Sequence, residues 1–492
     1  MMKAVIVGSG FGGLSAAALL SKDGFDTTVL EKNEQIGGRA SVYKDGGFTF
    51  DMGPSWYLMP DVFERFFAEF DRKPEDLLQL DRLDPHYRIY FGDGEVLDVS
   101  SDLEKNYEIF DQLEDDGGEK LREYLESAKD KYESSMKDLI YRDYSSLLDF
   151  FNRDLISGGV QLPMILESLD RFVGGYFDND KPRKILEYSI GFLGGSPKLT
   201  PALYHIMSYI DFELGVWFPK GGIGAVAESI ADLARSYGTE FKLNQPVTKI
   251  LVENDKAVGV STDDEDMEAD VVVVNADYAH AEMELLDEKH RTYSEKYWKK
   301  KVLAPSAFIA YVGVGKKLES IEHHTLLLDQ DWEKGFEELF DAKNIRWPEN
   351  PSYYVNSPSK TDPGFAPEGG ETLFILVPIS PGLEDDEATR ERFYNKIMDD
   401  LEARIGEDIR GSVKVKRIFT VSDFAERYNA YKGTALGLSH TLTQTAVFRP
   451  HHKSKKVDNL YYTGHYTHPG IGVPMTLISS QIVSKQIAED MS

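Results

Sequence analysis

The glycines near the start of the chain have the spacing of a phosphate-binding turn. Residues 8–13, GSGFGG, contain G-x-G-x-x-G. In this pattern one glycine permits a tight turn, a second lets the backbone approach a pyrophosphate, and a third lets a helix pack closely on a strand. An acid about 20 residues further on accepts hydrogen bonds from a ribose hydroxyl. The spacing therefore predicts a dinucleotide site formed by Gly8, Gly10, Gly12, Gly13 and Glu31.

The elements around these residues are predicted to be a parallel sheet with a helix packed on it. Residues 4–7 and 26–30 are short apolar runs typical of buried strands, and residues 14–20 form a helix of small residues between them. The free N–H groups at the start of that helix attract an anion. The glycine-rich segment 461–481 follows an apolar strand and precedes another helix, so its backbone can also approach a ligand. An ordinary strand-to-helix turn is the simpler alternative, and the joint spacing disfavours it.

A second glycine turn follows the acid and carries a guanidinium group. Lys32 comes directly after Glu31, and residues 37–40 have the sequence GGRA, which includes Gly38 and Arg39. A guanidinium donates hydrogen bonds in a fixed fork that matches phosphate oxygens. A site for NAD does not need this arginine.

The order of strand, glycine turn, helix, strand, acid and GGRA resembles the glutathione-reductase-type flavoproteins of the amine oxidase and carotenoid desaturase group. Within that group, the blocks at 50–55, 217–224, 441–450 and 461–481 are similar to bacterial-type phytoene desaturases, and they extend the resemblance over nearly the whole chain. The resemblance implies FAD as the cofactor. It further implies that FAD is contacted by Lys32, Gly38, Arg39, Val247, Gly464, Gly472, Val473 and Met475.

The implied fold is α/β, with a Rossmann-like FAD-binding domain of the glutathione-reductase and amine-oxidase type and two inserted domains. We expect the FAD-binding domain to be discontinuous, at residues 1–56, 217–277 and 457–492. Residues 57–216 are predicted to be a mostly helical insert that binds substrate and faces the membrane, because amphipathic helical patterns dominate there. Residues 278–456 are predicted to be a second substrate-binding insert of α+β type.

The resemblance implies desaturation of a lipophilic polyene. A CH2–CH2 unit beside the conjugated chain loses a hydride to the flavin and a proton from the neighbouring carbon, and the adjacent double bonds spread the cationic charge. Phytoene, desaturated stepwise towards lycopene, is the first expectation. The IGVPMT form at 471–476 looks closer to archaeal-type desaturases, and His465 and Tyr466 stand where many phytoene desaturases have small residues. The main alternative is therefore a carotenoid 3,4-desaturase acting on lycopene-derived or C50 precursors. A flavin-dependent polyene saturase and a prenyl carrier of the GDP-dissociation-inhibitor type are further alternatives.

No catalytic residue is assigned from the sequence. Asp51, His465 and His468 lie in family-like blocks, and each could accept the departing proton. Each also has a structural interpretation. Asp51 is expected to fix the turn at Gly53, and His468 is expected to hydrogen-bond to the backbone.

The composition restricts the partners of the protein. Of its 492 residues, 84 are acidic and 55 are basic, which gives a net charge of −29. This balance argues against nucleic acid as a partner, and it is favourable in a salt-rich cytoplasm, where counterions screen self-repulsion. The acidic clusters at 263–266 and 384–387 are interpreted as solvated loop tips and not as metal ligands. Cysteine is absent, which excludes disulfides and thiolate metal sites.

The hydropathy pattern predicts a cytoplasmic protein, and the resemblance implies that it contacts the membrane peripherally to take up its polyene substrate. No run of about 18 or more apolar residues exists, and the apolar start is interpreted as the first strand instead of a signal peptide. Because the surface is acidic, exposed apolar side chains are expected to make the membrane contact. A quinone or oxygen is expected as the electron acceptor, since no second nucleotide fingerprint occurs.

Overall fold

Five parallel strands form the sheet that carries the first glycine turn. A computed structural model describes residues 1–143, 164, 166–329, 331–441 and 443–491. Within these residues the strand order is Leu460–Tyr462, Val271–Val274, Lys3–Val7, Asp26–Leu30 and Glu240–Lys242. Three distant parts of the chain therefore meet in one sheet, and Lys3–Val7 lies at its centre.

Both faces of this sheet are covered, which explains why its central strand is apolar along its length. Three helices lie on one face: Phe11–Lys22, Gly222–Ser236 and Val473–Met491. An antiparallel sheet lies on the other: Val247–Glu253, Lys256–Thr262 and Asp266–Glu268. Alternate residues of a strand point to opposite faces, so Ala4 and Ile6 pack with the helices, whereas Val5 and Val7 pack with the antiparallel sheet. The predicted α/β fold is confirmed.

A second, mostly antiparallel sheet stands apart from the first. Its order is Val413–Phe419, Ser306–Val314, Glu371–Ile379, Tyr353–Asn356, His324–Leu328, Tyr87–Phe91 and Val96–Val99. All nine residues of Ser306–Val314 are buried. The helix Glu387–Ile405 covers one face of this sheet, packing Ile397, Met398 and Leu401 on it. The sequence pattern predicts this helix with the same bounds.

The first insert contains short strands as well as the predicted helices. It contributes the strands Leu80–Arg82, Tyr87–Phe91 and Val96–Val99, and Tyr87–Phe91 pairs in parallel with His324–Leu328 of the second insert. Val96–Val99 pairs with the adjacent Tyr87–Phe91, but the partner that places both strands in this sheet lies more than two hundred residues away, which a local pattern does not indicate. The predicted division into domains stays a prediction, and residues 144–163 of the first insert lie outside the described part of the chain.

Helices account for much of the rest of both inserts within the described residues. Those of the first are Pro60–Ala68, Leu103–Leu113, Gly117–Ser134, Leu169–Val173, Asp180–Glu187 and Ile206–Tyr209. Those of the second are Tyr278–His280, Glu295–Lys300, Trp332–Phe340, Glu387–Ile405 and Val421–Tyr428. Single turns of π-helix, Ser135–Leu139, Ile210–Leu214 and Ala281–Leu285, continue three of them. Among the described residues, no helix is both long enough and apolar enough to cross a membrane.

Two short antiparallel pairs complete the structure. They are Val42–Asp45 with Phe48–Asp51, and Leu80–Arg82 with Trp217–Pro219. The acidic cluster at 263–266 lies at the turn between Lys256–Thr262 and Asp266–Glu268. The sequence pattern predicts the second strand of that hairpin at 269–274, but Val271–Val274 instead joins the parallel sheet, where it pairs with Lys3–Val7.

Candidate cofactor and substrate site

A single cavity joins the glycine turns to the apolar inserts. Its volume is about 600 Å³. The end near the parallel sheet is lined by both glycine turns, Glu31 and Arg39. The rest is largely apolar, lined by side chains such as Trp56, Leu193, Met207, Ile309 and Phe424. Such a wall suits a ligand without hydrogen-bonding groups.

The first glycine turn is too crowded for side chains. Gly8 has a φ of 97°, a conformation that favours glycine. A Cβ on Gly12 would lie 2.5 Å from Oδ1 of Asn275, and a Cβ on Gly13 would lie 2.1 Å from the carbonyl oxygen of Gly8. Gly8, Gly10 and Gly12 line the cavity, whereas Gly13 serves the close packing of helix on strand.

Glu31 ends its strand at the wall of the cavity. Its carboxylate accepts hydrogen bonds from the backbone nitrogen of Ser9 at 2.9 Å, from Oγ of Ser9 at 2.7 Å and from the backbone nitrogen of Asn33 at 2.9 Å. These bonds hold the acid against the glycine turn. Lys32 also lines the cavity, and its Nζ donates to the carbonyl oxygen of Glu426 at 2.7 Å.

Arg39 has the properties of a ligand-binding cation. Nε and Nη2 of its guanidinium are buried and have no hydrogen-bond partner among the described residues. The guanidinium carbon lies 5.4 Å from the ring centre of Tyr428. Unpaired buried donors are costly, so an anionic group in the cavity would stabilise this arginine. The arginine turn packs closely against the first glycine turn, since a Cβ on Gly38 would lie only 3.1 Å from the Cα of Gly10. The two turns together fit a dinucleotide diphosphate.

The other predicted contacts reach the cavity from separate elements. Val247 begins a strand of the antiparallel sheet and is half-buried. Gly464, with a φ of 110°, follows the last parallel strand, and its nitrogen donates to Oγ of Ser479 at 3.0 Å. Gly472, Val473 and Met475 lie at the start of the last long helix. All predicted cofactor residues except Gly13 therefore line one cavity, and their contacts with the cofactor stay predictions.

The loop that carries His465 and His468 is held by Arg449, to which the sequence gives no role. The guanidinium is buried and donates to five carbonyl groups, those of His465 at 2.6 Å, Thr467 at 3.1 Å, Tyr466 and Gln444 at 3.2 Å, and Leu438 at 3.4 Å. Burial lowers the pKa of Arg449 to about 10, so it remains charged at neutral pH. Leu442, in the same family-like block, lies outside the described residues.

Asp51 does not do what the sequence analysis expects. Its carboxylate accepts hydrogen bonds from the backbone nitrogens of Ile223 and Gly224, both at 2.9 Å, and so caps the helix Gly222–Ser236. Burial raises its pKa to about 6. Because Asp51 is not among the residues that line the cavity, it is poorly placed to accept a proton from a substrate there.

His465 and His468 line the cavity, and both are weak bases. Nε2 of His468 lies 3.0 Å from the carbonyl oxygen of Ile140, in agreement with the expected backbone hydrogen bond. Burial lowers the pKa of His468 to about 3. Burial, together with the charges of Arg39 and Arg449, also holds the pKa of His465 well below its usual range.

Asp211 is a functional candidate that the sequence analysis missed. It lies in the π-helical turn Ile210–Leu214 and lines the cavity. Its Oδ2 accepts hydrogen bonds from the hydroxyls of Tyr87 at 2.7 Å and Tyr188 at 3.0 Å. Burial raises the pKa of Asp211 to about 7. The available signal was an acid within a largely apolar stretch, residues 206–214, which also contains Glu213.

Comparisons with known proteins identify the relatives of this chain. The family model described as flavin containing amine oxidoreductase matches residues 11–488. A carotenoid 3,4-desaturase of Haloarcula japonica is 46% identical over 487 residues, covering 99% of this chain and 98% of the relative. A zeta-carotene-forming phytoene desaturase of Myxococcus xanthus is 33% identical over 98% of this chain and 93% of the relative.

Solved structures share the fold at low sequence identity. An oxidoreductase from Methanosarcina mazei has a TM-score of 0.64 and 18% identity, and the match covers 99% of this chain and 100% of that one. A putrescine oxidase variant has a TM-score of 0.62 and 14% identity, with 99% of each chain covered.

Proposed function

We propose a specific reaction for this chain, which belongs to the flavin-containing amine oxidoreductase family and is an FAD-dependent carotenoid desaturase. The proposed reaction is the introduction of 3,4 double bonds into lycopene-derived polyenes. The observation that carries this proposal is the 46% identity to the Haloarcula japonica carotenoid 3,4-desaturase over nearly the full length of both chains. The family expected from the sequence is thereby confirmed, as are FAD and oxidation of a CH–CH unit.

The residues of the chain suit this reaction. When bound, FAD supplies the two-electron acceptor. The glycine turns, Glu31 and Arg39 would hold it at the polar end of the cavity. Apolar residues such as Leu193, Met207 and Phe424 would then hold the polyene, exclude water and fix which carbon atoms react.

Phytoene desaturation is the second candidate. The Myxococcus xanthus relative, at 33% identity, favours it, and the sequence analysis places it first. The higher identity to the 3,4-desaturase reverses that order. Both candidates use the same cofactor and the same apolar cavity, so they differ in substrate and not in chemistry.

Membrane contact is proposed through exposed apolar side chains near the cavity. Leu166, Leu199 and Phe448 are 70%, 45% and 45% exposed. Isolated apolar residues are normal on a surface. What distinguishes these three is that the segments carrying them are joined to each other beside the cavity. Ser168 forms a bridge with Pro201, and the hydroxyl of Tyr204 lies 2.9 Å from Oγ1 of Thr445.

These two contacts join the segments that carry the exposed side chains. Pro201, Tyr204, Thr445 and Ala446 all line the cavity. A polyene dissolved in lipid could therefore enter beside these residues without crossing water. A membrane quinone or oxygen is proposed as the acceptor that reoxidises FAD.

Pigment spectra test the proposed function. Protein reconstituted with FAD is mixed with liposomes that contain phytoene, lycopene or a hydroxylated C50 derivative of lycopene, in high salt, with quinone or oxygen. We expect new long-wavelength bands from the lycopene-derived substrates and no colour from phytoene. Coloured products from phytoene alone would establish the second candidate, and no change with any polyene would refute both. A requirement for an electron donor would instead indicate a saturase.

A further inference from the structure

We propose that Asp211 is the catalytic residue that accepts the proton leaving the polyene. This inference rests on the proposed function, because it assumes desaturation in the cavity described above. It assigns a role that neither the sequence motifs nor the comparisons assign.

The first argument comes from the carboxylates that line the cavity. Among the described residues there are three: Glu31, Asp211 and Asp277. Both oxygens of Glu31 accept hydrogen bonds, from Ser9 and from Asn33.

Asp277 is likewise saturated. Its Oδ1 accepts from the backbone nitrogen of His280 at 3.1 Å, and its Oδ2 accepts from the hydroxyl of Tyr466 at 2.7 Å and from the backbone nitrogen of Tyr431 at 3.2 Å. Oδ1 of Asp211, in contrast, is buried and has no partner among the described residues. Protonation of this oxygen would break no hydrogen bond among the described residues.

The second argument is that Asp211 is linked to the cofactor end of the cavity by contacts between side chains. The ring of Trp56 lies 5.6 Å from that of Tyr87 and 6.2 Å from that of Tyr188, the two phenols bonded to Asp211. Trp56 itself lines the cavity and closely follows Gly53. A Cβ on Gly53 would lie 2.6 Å from the carbonyl oxygen of Arg39. A short series of contacts thus connects Asp211 to the cofactor end.

The third argument is the local environment of the carboxyl group. Burial raises its pKa to about 7, and the hydrogen bonds from Tyr87 and Tyr188 partly oppose this rise. No charged side chain among the described residues contributes to the shift. A base with a pKa near the working pH combines a sufficient ionised fraction with enough basicity. The π-helical turn that carries Asp211 is also a feature frequent at functional sites.

The proposed step balances in atoms and electrons. One C–H bond of the substrate breaks and both of its electrons leave with the hydrogen as hydride to FAD, which is the oxidant. On the neighbouring carbon a second C–H bond breaks, its electron pair becomes the new π bond, and its proton bonds to Oδ1 of Asp211. Asp211 returns the proton to solvent before the next turnover.

The test measures flavin bleaching without oxygen. Holoenzyme is mixed with a polyene that the wild type converts, from about pH 5.5 to about 8.5, a range that brackets the pKa. The wild-type rate is expected to rise with a midpoint near pH 7. Asp211→Asn, which can still accept from both phenols, is expected to react about 100- to 10,000-fold more slowly without that midpoint, while binding the same amount of polyene.

Two further variants separate a base from a structural acid. Tyr87→Phe removes one donor to the ionised carboxylate, so the midpoint is expected to move to higher pH. Glu187→Gln is the matched control, because Glu187 is also a buried acid with a raised pKa, of about 8, but is not among the cavity-lining residues. It is expected to leave the profile unchanged.

An infrared measurement follows the proton directly. The difference spectrum between wild type and Asp211→Asn is expected to show a protonated carboxyl band that disappears as the pH rises through about 7. A variant Asp211→Asn that keeps the wild-type rate and midpoint would overturn the assignment, as would a carboxyl that stays protonated throughout. If the wild type converts no polyene, the proposed function fails as well, and the two failures are thereby distinguished.

Discussion

The carboxylate of Asp51 lies 2.9 Å from the backbone nitrogen of Ile223, which is 172 positions away in the sequence. It binds Gly224 in the same way, so one side chain ties the hairpin that follows the arginine turn to the first turn of the helix Gly222–Ser236.

Replacing Asp51 should weaken the fold. Asp51→Ala is expected to lower the free energy of unfolding by about 1–2 kcal/mol, because two helix N–H groups lose their cap. The folded pKa of about 6 is raised above the ordinary value of 3.8, so the contribution of Asp51 to stability falls as pH rises through 6. Urea denaturation at pH 5 and pH 7 should therefore show a larger difference between wild type and variant at pH 5. Asp263→Ala, on the solvated hairpin turn, serves as control and should change neither value.

Replacing Arg39 should lower the affinity for FAD and have a smaller effect on the free energy of unfolding. Arg39→Met removes the unpartnered buried donors, and charge-assisted hydrogen bonds of about 1.5–3 kcal/mol correspond to an affinity loss of about 10- to 100-fold. Titration of apoprotein with FAD, followed by flavin fluorescence, measures this loss. Arg417→Met is the control, since Arg417 packs on Tyr43 and Phe419 and does not line the cavity. Equal affinities in the two variants would remove Arg39 from the cofactor site.

Exposed leucines should govern membrane binding. The double variant Leu166→Ser, Leu199→Ser is expected to reduce flotation with liposomes, because it removes apolar area next to the cavity. FAD affinity should not change. Leu77→Ser with Val302→Ser removes two other exposed apolar side chains, 37% and 41% exposed, and should float like the wild type. Loss of flotation in this control pair alone would place the membrane contact elsewhere.

Salt should stabilise the protein. With a net charge of −29, raising the salt concentration to about 1 M shortens the screening length to about 3 Å and reduces self-repulsion. The melting temperature is therefore expected to rise with sodium chloride. Neutralising residues 263–266 with amides should raise the melting temperature in low salt and reduce its dependence on salt. A melting temperature independent of salt would contradict this account.

Local sequence patterns predicted those strands and helices whose alternation of buried and exposed residues is visible within the element itself. The strand Asp26–Leu30 and the helix Glu387–Ile405 have the predicted bounds, because periodic burial is visible within a few residues. The glycine turns could also be predicted, because their spacing is local, although the side chain that crowds Gly12 belongs to the distant Asn275.

Features that depend on distant partners could not be predicted in this way. The strand Tyr87–Phe91 is defined by its pairing with His324–Leu328, and the role of Asp51 depends on Ile223. Asp211 became a candidate only when the cavity and its two phenols were known. Arg449 needed the positions of several carbonyl groups before its role was apparent.

The order of the strands in the chain determines when the parallel sheet can be completed during synthesis. Lys3–Val7 leaves the ribosome early, but Leu460–Tyr462, which completes the same sheet, is made more than four hundred residues later. At about 5–20 residues per second this interval is about 20–90 s. Once Val271–Val274 has been made, its edge lacks a neighbour until Leu460–Tyr462 follows, and Gly464 and Gly472 do not yet exist. Because the predicted FAD contacts include both glycines, capture of FAD is expected to be a late event in the synthesis of the chain.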